Sequence, residues 1–126
     1  MFRAYHWLKH RRNIKKTMIF IASNSVGPGF HIQHRGFRHI NGNTRIGENC
    51  EILPMVLIGN KRPEHEGTKI EIGNNCYIST GVTIIGPVKI GDNVIIGAGD
   101  VVTKDIPDNC VAYGIPARTF FLKTES

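Results

Sequence analysis

IEIGNNCYISTGVTIIGPVKIGDNVIIGAGDVV, residues 70–102, repeats an isoleucine or valine every sixth position. The series is Ile72, Ile78, Ile84, Ile90, Ile96 and Val102, and a second run with the same spacing stands upstream at Ile40, Ile46, Ile52 and Ile58. Neither a helix of period about 3.6 nor a strand of period 2 asks for that interval. Four places after the landmarks stand Cys50, Val56, Cys76, Val82, Val88 and Val94, a second small apolar column that Asp100 breaks. Glycine follows the landmark in IGENCE, IGNNCY, IGDNVI and IGAGDV, with Asn or Asp close behind. Those residue types accept left-handed backbone angles, so each predicts a corner. Short strand, corner, short strand every six residues describes a coil of parallel β-structure, whose apolar face is buried by stacking on its neighbours. With three faces per coil, residues 40–58 and 72–102 make about three coils, stacked ~4.8 Å apart.

Composition agrees. The 126 residues suit one domain. Eighteen Ile and eight Val against four Leu favour strand over helix. The longest apolar run near the start, residues 18–22, is too short for a spanning helix or a secretory core, which predicts a cytoplasmic chain. Three cysteines without a signal sequence argue against a disulfide framework. No Cys/His set at zinc spacing is present, and no ligand cluster calls for a metal. Cys50 and Cys76 sit in the inward column and read as small buried hydrophobes rather than nucleophiles. Cys110 falls outside the period, with no role assigned.

Charge divides the chain. Residues 1–47 hold nine Lys/Arg and no acid, whereas residues 48–126 hold seven Lys/Arg and ten Asp/Glu, so +9 and −3 give the net +6. The basic run YHWLKHRRNIKK, residues 5–16, reads as a helical stub packing its few apolar residues on the domain or a neighbouring subunit. Peripheral attraction to an anionic membrane surface is the second reading. Nucleic-acid binding is disfavoured, since no recognition fold surrounds the run. The expected organisation is a basic segment over 1–26, a β-helix over 27–122 and a tail over 123–126. The polar stretch GNKRPEHEGTKI, residues 59–70, interrupts the period and predicts a loop on the binding face.

With these residues in view, the chain resembles the hexapeptide-repeat acyltransferases. IGAGDVVTKDIP (96–107) and YGIPAR (113–118) are similar to their C-terminal halves. GFHIQHRGFRHINGNTRIGENCEI (29–52) resembles the serine acetyltransferase segment that carries the catalytic histidine. The resemblance implies a left-handed parallel β-helix that forms a homotrimer with active sites between subunits, and acetyl-CoA as co-substrate with no metal required. It also has departures. Gln33 stands where those enzymes place aspartate, the loop reads EHEGTKI rather than RHPKI, and neither their long helical N-terminal domain nor their terminal isoleucine is matched. The branch that acetylates sugars in surface-polysaccharide synthesis is therefore the expected one. Serine O-acetylation in cysteine synthesis, nucleotide-sugar N-acetylation, and an inactive trimeric scaffold remain alternatives.

Acetyl transfer to a hydroxyl needs a base, donors for the developing oxyanion, and a groove for the thioester. By resemblance His34 is the base; direct transfer through a tetrahedral intermediate is expected. His65 in the loop is a second catalytic or acceptor-binding candidate, with Gln33 and Glu64 beside the acceptor. His31 and His39 flank the base, and His6 and His10 belong to the basic stub. For acetyl-CoA the resemblance implies Thr80, Gly97, Ala98, Thr103, Lys104 and Arg118: Gly and Ala open the backbone to close approach, and the two cations suit phosphates.

Overall fold

The computed structural model describes residues 19–122 apart from 22–25, 33, 35, 42 and 61–68, and for 19–21 the backbone alone. The β-branched repeat becomes short strands that wrap into three sheets. The first sheet stacks β1 (Ile19–Ile21), β3 (Arg38–Ile40), β6 (Val56–Asn60), β9 (Thr83–Gly86) and β12 (Val101–Val102). The second stacks β4 (Thr44–Ile46), β7 (Ile70–Ile72) and β10 (Val88–Ile90). The third holds β2 (His31–Ile32), β5 (Glu51–Ile52), β8 (Tyr77–Ile78), β11 (Ile95–Ile96), β13 (Cys110–Tyr113) and β14 (Arg118–Phe121). Every pairing is parallel except β13 with β14, which is antiparallel and closes the stack. The result is a three-sided parallel β-helix. Pairing reaches back to Ile19–Ile21, residues that the charge pattern groups with the basic stub. The helix expected over residues 5–16 lies outside the described residues.

Inward side chains form columns along the axis. Ile40, Ile58, Ile84 and Val102 share one, and Ile52, Ile78, Ile96 and Ala112 another, all of them buried. The six-residue landmarks are thus one inward residue per face. Thr44 intrudes beside Ile70 and Val88, buried, its hydroxyl without a hydrogen bond among the described residues.

One expectation is corrected. Cys110 does not fall outside the repeat. Ile106 bridges Ile90, so this coil is two residues shorter than an 18-residue turn, and the period resumes from Ile106. Cys110 then follows Cys50, Cys76 and Val94 in one buried column. Of the corner residue types, asparagine carries the left-handed angle: Asn49, Asn75, Asn93 and Asn109 have φ of 57–59°. The glycine answers a different demand. A β carbon on Gly73 would lie 2.6 Å from the Gly91 carbonyl oxygen of the next coil. Asn74, Asp92 and Asp108 cap the same edge: Asn74 Oδ1 accepts from the Glu48 amide at 2.8 Å, and Asp92 Oδ1 from the Asn74 amide at 2.7 Å. The interruption narrows as well, because Gly59 and Asn60 continue β6 and Ile70 begins β7.

Candidate functional site

The edge between the third and first sheets gathers four of the predicted residues. His34 lies where β2 passes to β3, Thr80 where β8 passes to β9, and Gly97 and Ala98 where β11 passes to β12. The register Ile32–Ile52–Ile78–Ile96 sets His34 three rungs below Ala98. At ~4.8 Å per rung the separation is about 14 Å.

Each corner has a local cause. Thr80 donates its hydroxyl to the Pro54 carbonyl at 2.7 Å, and its own carbonyl accepts the Gly99 amide at 2.9 Å, so successive corners are laced together. Gly99 holds φ 74°, and a β carbon built there meets nothing within 4 Å. Ala98 is exposed, and its amide makes no hydrogen bond to the described residues. The corner therefore offers bare backbone and room for an extended amide-bearing chain, the fit that a pantetheine arm requires. Buried Asp100 supports it from beneath: Oδ1 accepts the Gly114 amide at 2.6 Å, while Oδ2 has no partner among the described residues.

His34 is exposed with φ 62°, a left-handed conformation uncommon outside glycine. Its main chain is fixed by Arg38, which is fully buried. Arg38 donates from Nη2 to the His34 carbonyl at 2.9 Å, from Nη1 to Gly36 at 3.1 Å and from Nε to Ile52 at 3.0 Å. Burial holds its guanidinium below the ordinary arginine value. Sequence reading missed Arg38; the available signal was a cation two residues before Ile40, at an inward position.

The remaining candidates are dispersed. Thr103 and Lys104 are exposed after β12, at the corner toward the second sheet. Arg118 is exposed at the start of β14 opposite Tyr113. His31 faces outward on β2 with Nδ1 3.5 Å from Glu51 Oε1, and His39 is exposed on β3 opposite Leu57. Gln33, Glu64 and His65 lie outside the described residues. An open groove of about 580 Å³ follows a different edge, beside Gly47, Gly73 and Gly91 with Arg45, Glu71 and Lys89, and none of the predicted residues lines it.

The cysteines are built for packing. Cys50 donates to the Gly73 carbonyl at 3.1 Å and Cys76 to the Gly91 carbonyl at 3.2 Å. The contact with Cys50, and then burial, hold the Cys76 thiol well above its ordinary value. Burial also pushes Cys110 up. Among the described residues no group of His, Cys, Asp and Glu could hold a metal ion, and no helix is long and apolar enough to cross a membrane.

A stacked β-helix with one edge of exposed corner residues is the architecture of a hexapeptide-repeat protein, and residues 69–104 match the family model described as bacterial transferase hexapeptide (six repeats). Residues 69–104 thus carry the hexapeptide repeat of that transferase family. It is 35% identical over 97 residues to the serine acetyltransferase of Synechococcus elongatus, covering 76% of this chain and 39% of that one. To the galactoside O-acetyltransferase of Escherichia coli it is 38% identical over 110 residues, covering 75% and 54%. The chain thus spans about half the length, or less, of these curated relatives. Among solved structures, soybean serine acetyltransferase superposes with a TM-score of 0.79 at 30% identity, over 94% of this chain and 49% of that one. Neisseria gonorrhoeae serine acetyltransferase shares the fold with a TM-score of 0.81 at 24% identity, over 98% and 49%.

Proposed function

We propose that this chain is an acetyl-CoA-dependent O-acetyltransferase acting on a hydroxyl of a sugar or polysaccharide precursor. One observation carries the reading: His34 and the open backbone at Ala98–Gly99 occupy the same edge of the β-helix, three rungs apart. Bound acetyl-CoA supplies an acetyl group activated as a thioester. The Ala98 amide and the space beside Gly99 receive the pantetheine amides, and Lys104 and Arg118 approach the phosphates. His34, as neutral imidazole, takes the proton of the acceptor hydroxyl. The oxygen then forms its bond to the acetyl carbonyl carbon, the carbon–sulfur bond breaks, and the proton passes to the departing sulfur. His65, Gln33 and Glu64 select the acceptor. A left-handed winding and a homotrimer, which lets the loop of one subunit approach the edge of another, complete the proposal; the superpositions on serine acetyltransferases support the first. A CoA complex of the Brucella abortus serine acetyltransferase is among the similar structures and supports the co-substrate.

Serine O-acetylation is a second reading, favoured by the serine acetyltransferases among the structural relatives. Acetyl transfer read by product mass separates the two. The panel contains L-serine, methyl galactoside, nucleotide sugars and polymeric glycan, with His34→Ala as control. A sugar product absent from the control supports the proposal, acetylserine replaces it with the second reading, and no transfer with no acetyl-CoA binding overturns both.

A further inference from the structure

We infer that Arg38 is a positioning residue that sets the catalytic geometry of His34. The inference rests on the reading of His34 as the base. In the coils above, three residues join the third-sheet strand to the first-sheet inward position: Leu53, Pro54 and Met55 between Ile52 and Val56. Ile32 is in register with Ile52 and Arg38 with Val56, yet five residues separate Ile32 from Arg38. The first coil therefore carries a two-residue enlargement at the very corner that presents His34.

An enlarged corner leaves main-chain carbonyls without the regular ladder to the next rung. Arg38 receives them. It rises from the inward position that Val56 and Val82 hold in the following coils, and its planar fork reaches two carbonyls of the enlargement, His34 and Gly36, together with Ile52 one rung above. Three donor directions fixed in one plane are what a guanidinium provides and an ammonium does not. The contact is to the carbonyl of His34 itself, whose φ of 62° holds only where neighbouring groups fix it. A cation at an apolar column position is costly unless fully hydrogen-bonded, so packing alone does not account for it. Its effect is to fix the peptide from which the imidazole projects.

The test is a double-mutant cycle in the full chain, using Arg38→Met, His34→Ala and the pair. It reads acetyl transfer to whichever panel acceptor is active, and the KM for acetyl-CoA. Misplacing a base by about an ångström costs on the order of 10–10²-fold, so Arg38→Met is expected to lower kcat by that factor while KM for acetyl-CoA changes less than about threefold. In the His34→Ala background it should cost nothing further, because its effect passes through His34. Arg38→Lys should fold and fail to restore kcat. A kcat within about threefold of wild type for Arg38→Met overturns the inference, as does a further loss of the same size in the double mutant. If Arg38→Met does not unfold cooperatively, Arg38→Lys is read in its place; failure of both to fold assigns Arg38 to stability and overturns the inference. A His34→Ala enzyme within tenfold of wild type instead removes the reading beneath it, as does a panel with no active acceptor.

Discussion

The division of labour at the corners, glycine for clearance and asparagine for backbone angle, makes a prediction opposite to the one that composition suggests. If Gly73 were present for a left-handed angle, Gly73→Ala would cost what any such strain costs. The structure instead puts φ 58° on Asn75 and sets a β carbon at Gly73 2.6 Å from the Gly91 carbonyl oxygen. That overlap involves main chain, which moves only by separating two coils, so overpacking of about 2 kcal/mol is expected for Gly73→Ala. Asn75→Ala forces a methyl-bearing residue into the left-handed region at about 1 kcal/mol. Asn75→Gly relieves strain but loosens the unfolded chain, and is expected within about 0.5 kcal/mol of wild type. For a domain of this size 1 kcal/mol moves Tm by roughly 3–5 °C. The order should be Asn75→Gly near wild type, Asn75→Ala about 3–5 °C lower, and Gly73→Ala lowest by about 6–10 °C. Circular dichroism melts at one fixed protein concentration read this. A Gly73→Ala protein as stable as wild type would refute the close-approach argument. Asn75→Ala melting with Asn75→Gly would refute the angle argument.

Three further outcomes are expected. His34→Ala should lower kcat by ~10²–10⁴ while leaving the melt unchanged, and a loss below tenfold removes His34 as the base. Ala98→Trp should raise KM for acetyl-CoA at least about tenfold with little change in KM for the acceptor, because the bulk fills the open corner; equal changes in both would place the cofactor path elsewhere. None of Cys50, Cys76 and Cys110 should react with a thiol reagent in the native protein at pH 7, since all three are buried, and all should react on unfolding; rapid native labelling of any one contradicts the column packing.

Much of the architecture was legible because the repeat is a one-dimensional signal. Each Ile at the landmark spacing meets another Ile one coil away, so the six-residue period and the packing are the same fact. Cys110 escaped because a two-residue contraction shifted the phase, yet IPDNC at 106–110 echoes IGENC, IGNNC and IGDNV and carries the same Asn with φ near 59°. Reading the corner motif instead of the count would have found it. The corners were legible, but not which of their residues carries the angle. Glycine tolerates left-handed angles but is also demanded by close approach, and composition alone does not separate the two uses. The roles of His65 and Glu64 had no geometric support, since a loop that interrupts a solenoid carries no period from which to place its side chains.

The polar residues in the column beneath the candidate edge tie these points together. That column runs Arg38, Val56, Val82, Asp100, all buried. Val56, Val82 and Asp100 underlie or flank three-residue corners of the regular pattern, whereas Arg38 underlies the enlarged one. Arg38 sits beneath the enlarged corner that presents His34, and Asp100 beneath the glycine-rich corner against the closing turn at Gly114. A repeat that needed only stability would place valine at all four, because burying a charge without full hydrogen bonding lowers stability. Sequences depart from local consistency mainly where something other than stability is selected. The two departures in this column coincide with the His34 and Ala98 corners assigned to acetyl transfer. Replacing the outer pair while keeping the inner valines should therefore reduce turnover more than it reduces Tm, and Val82→Ala should do the reverse.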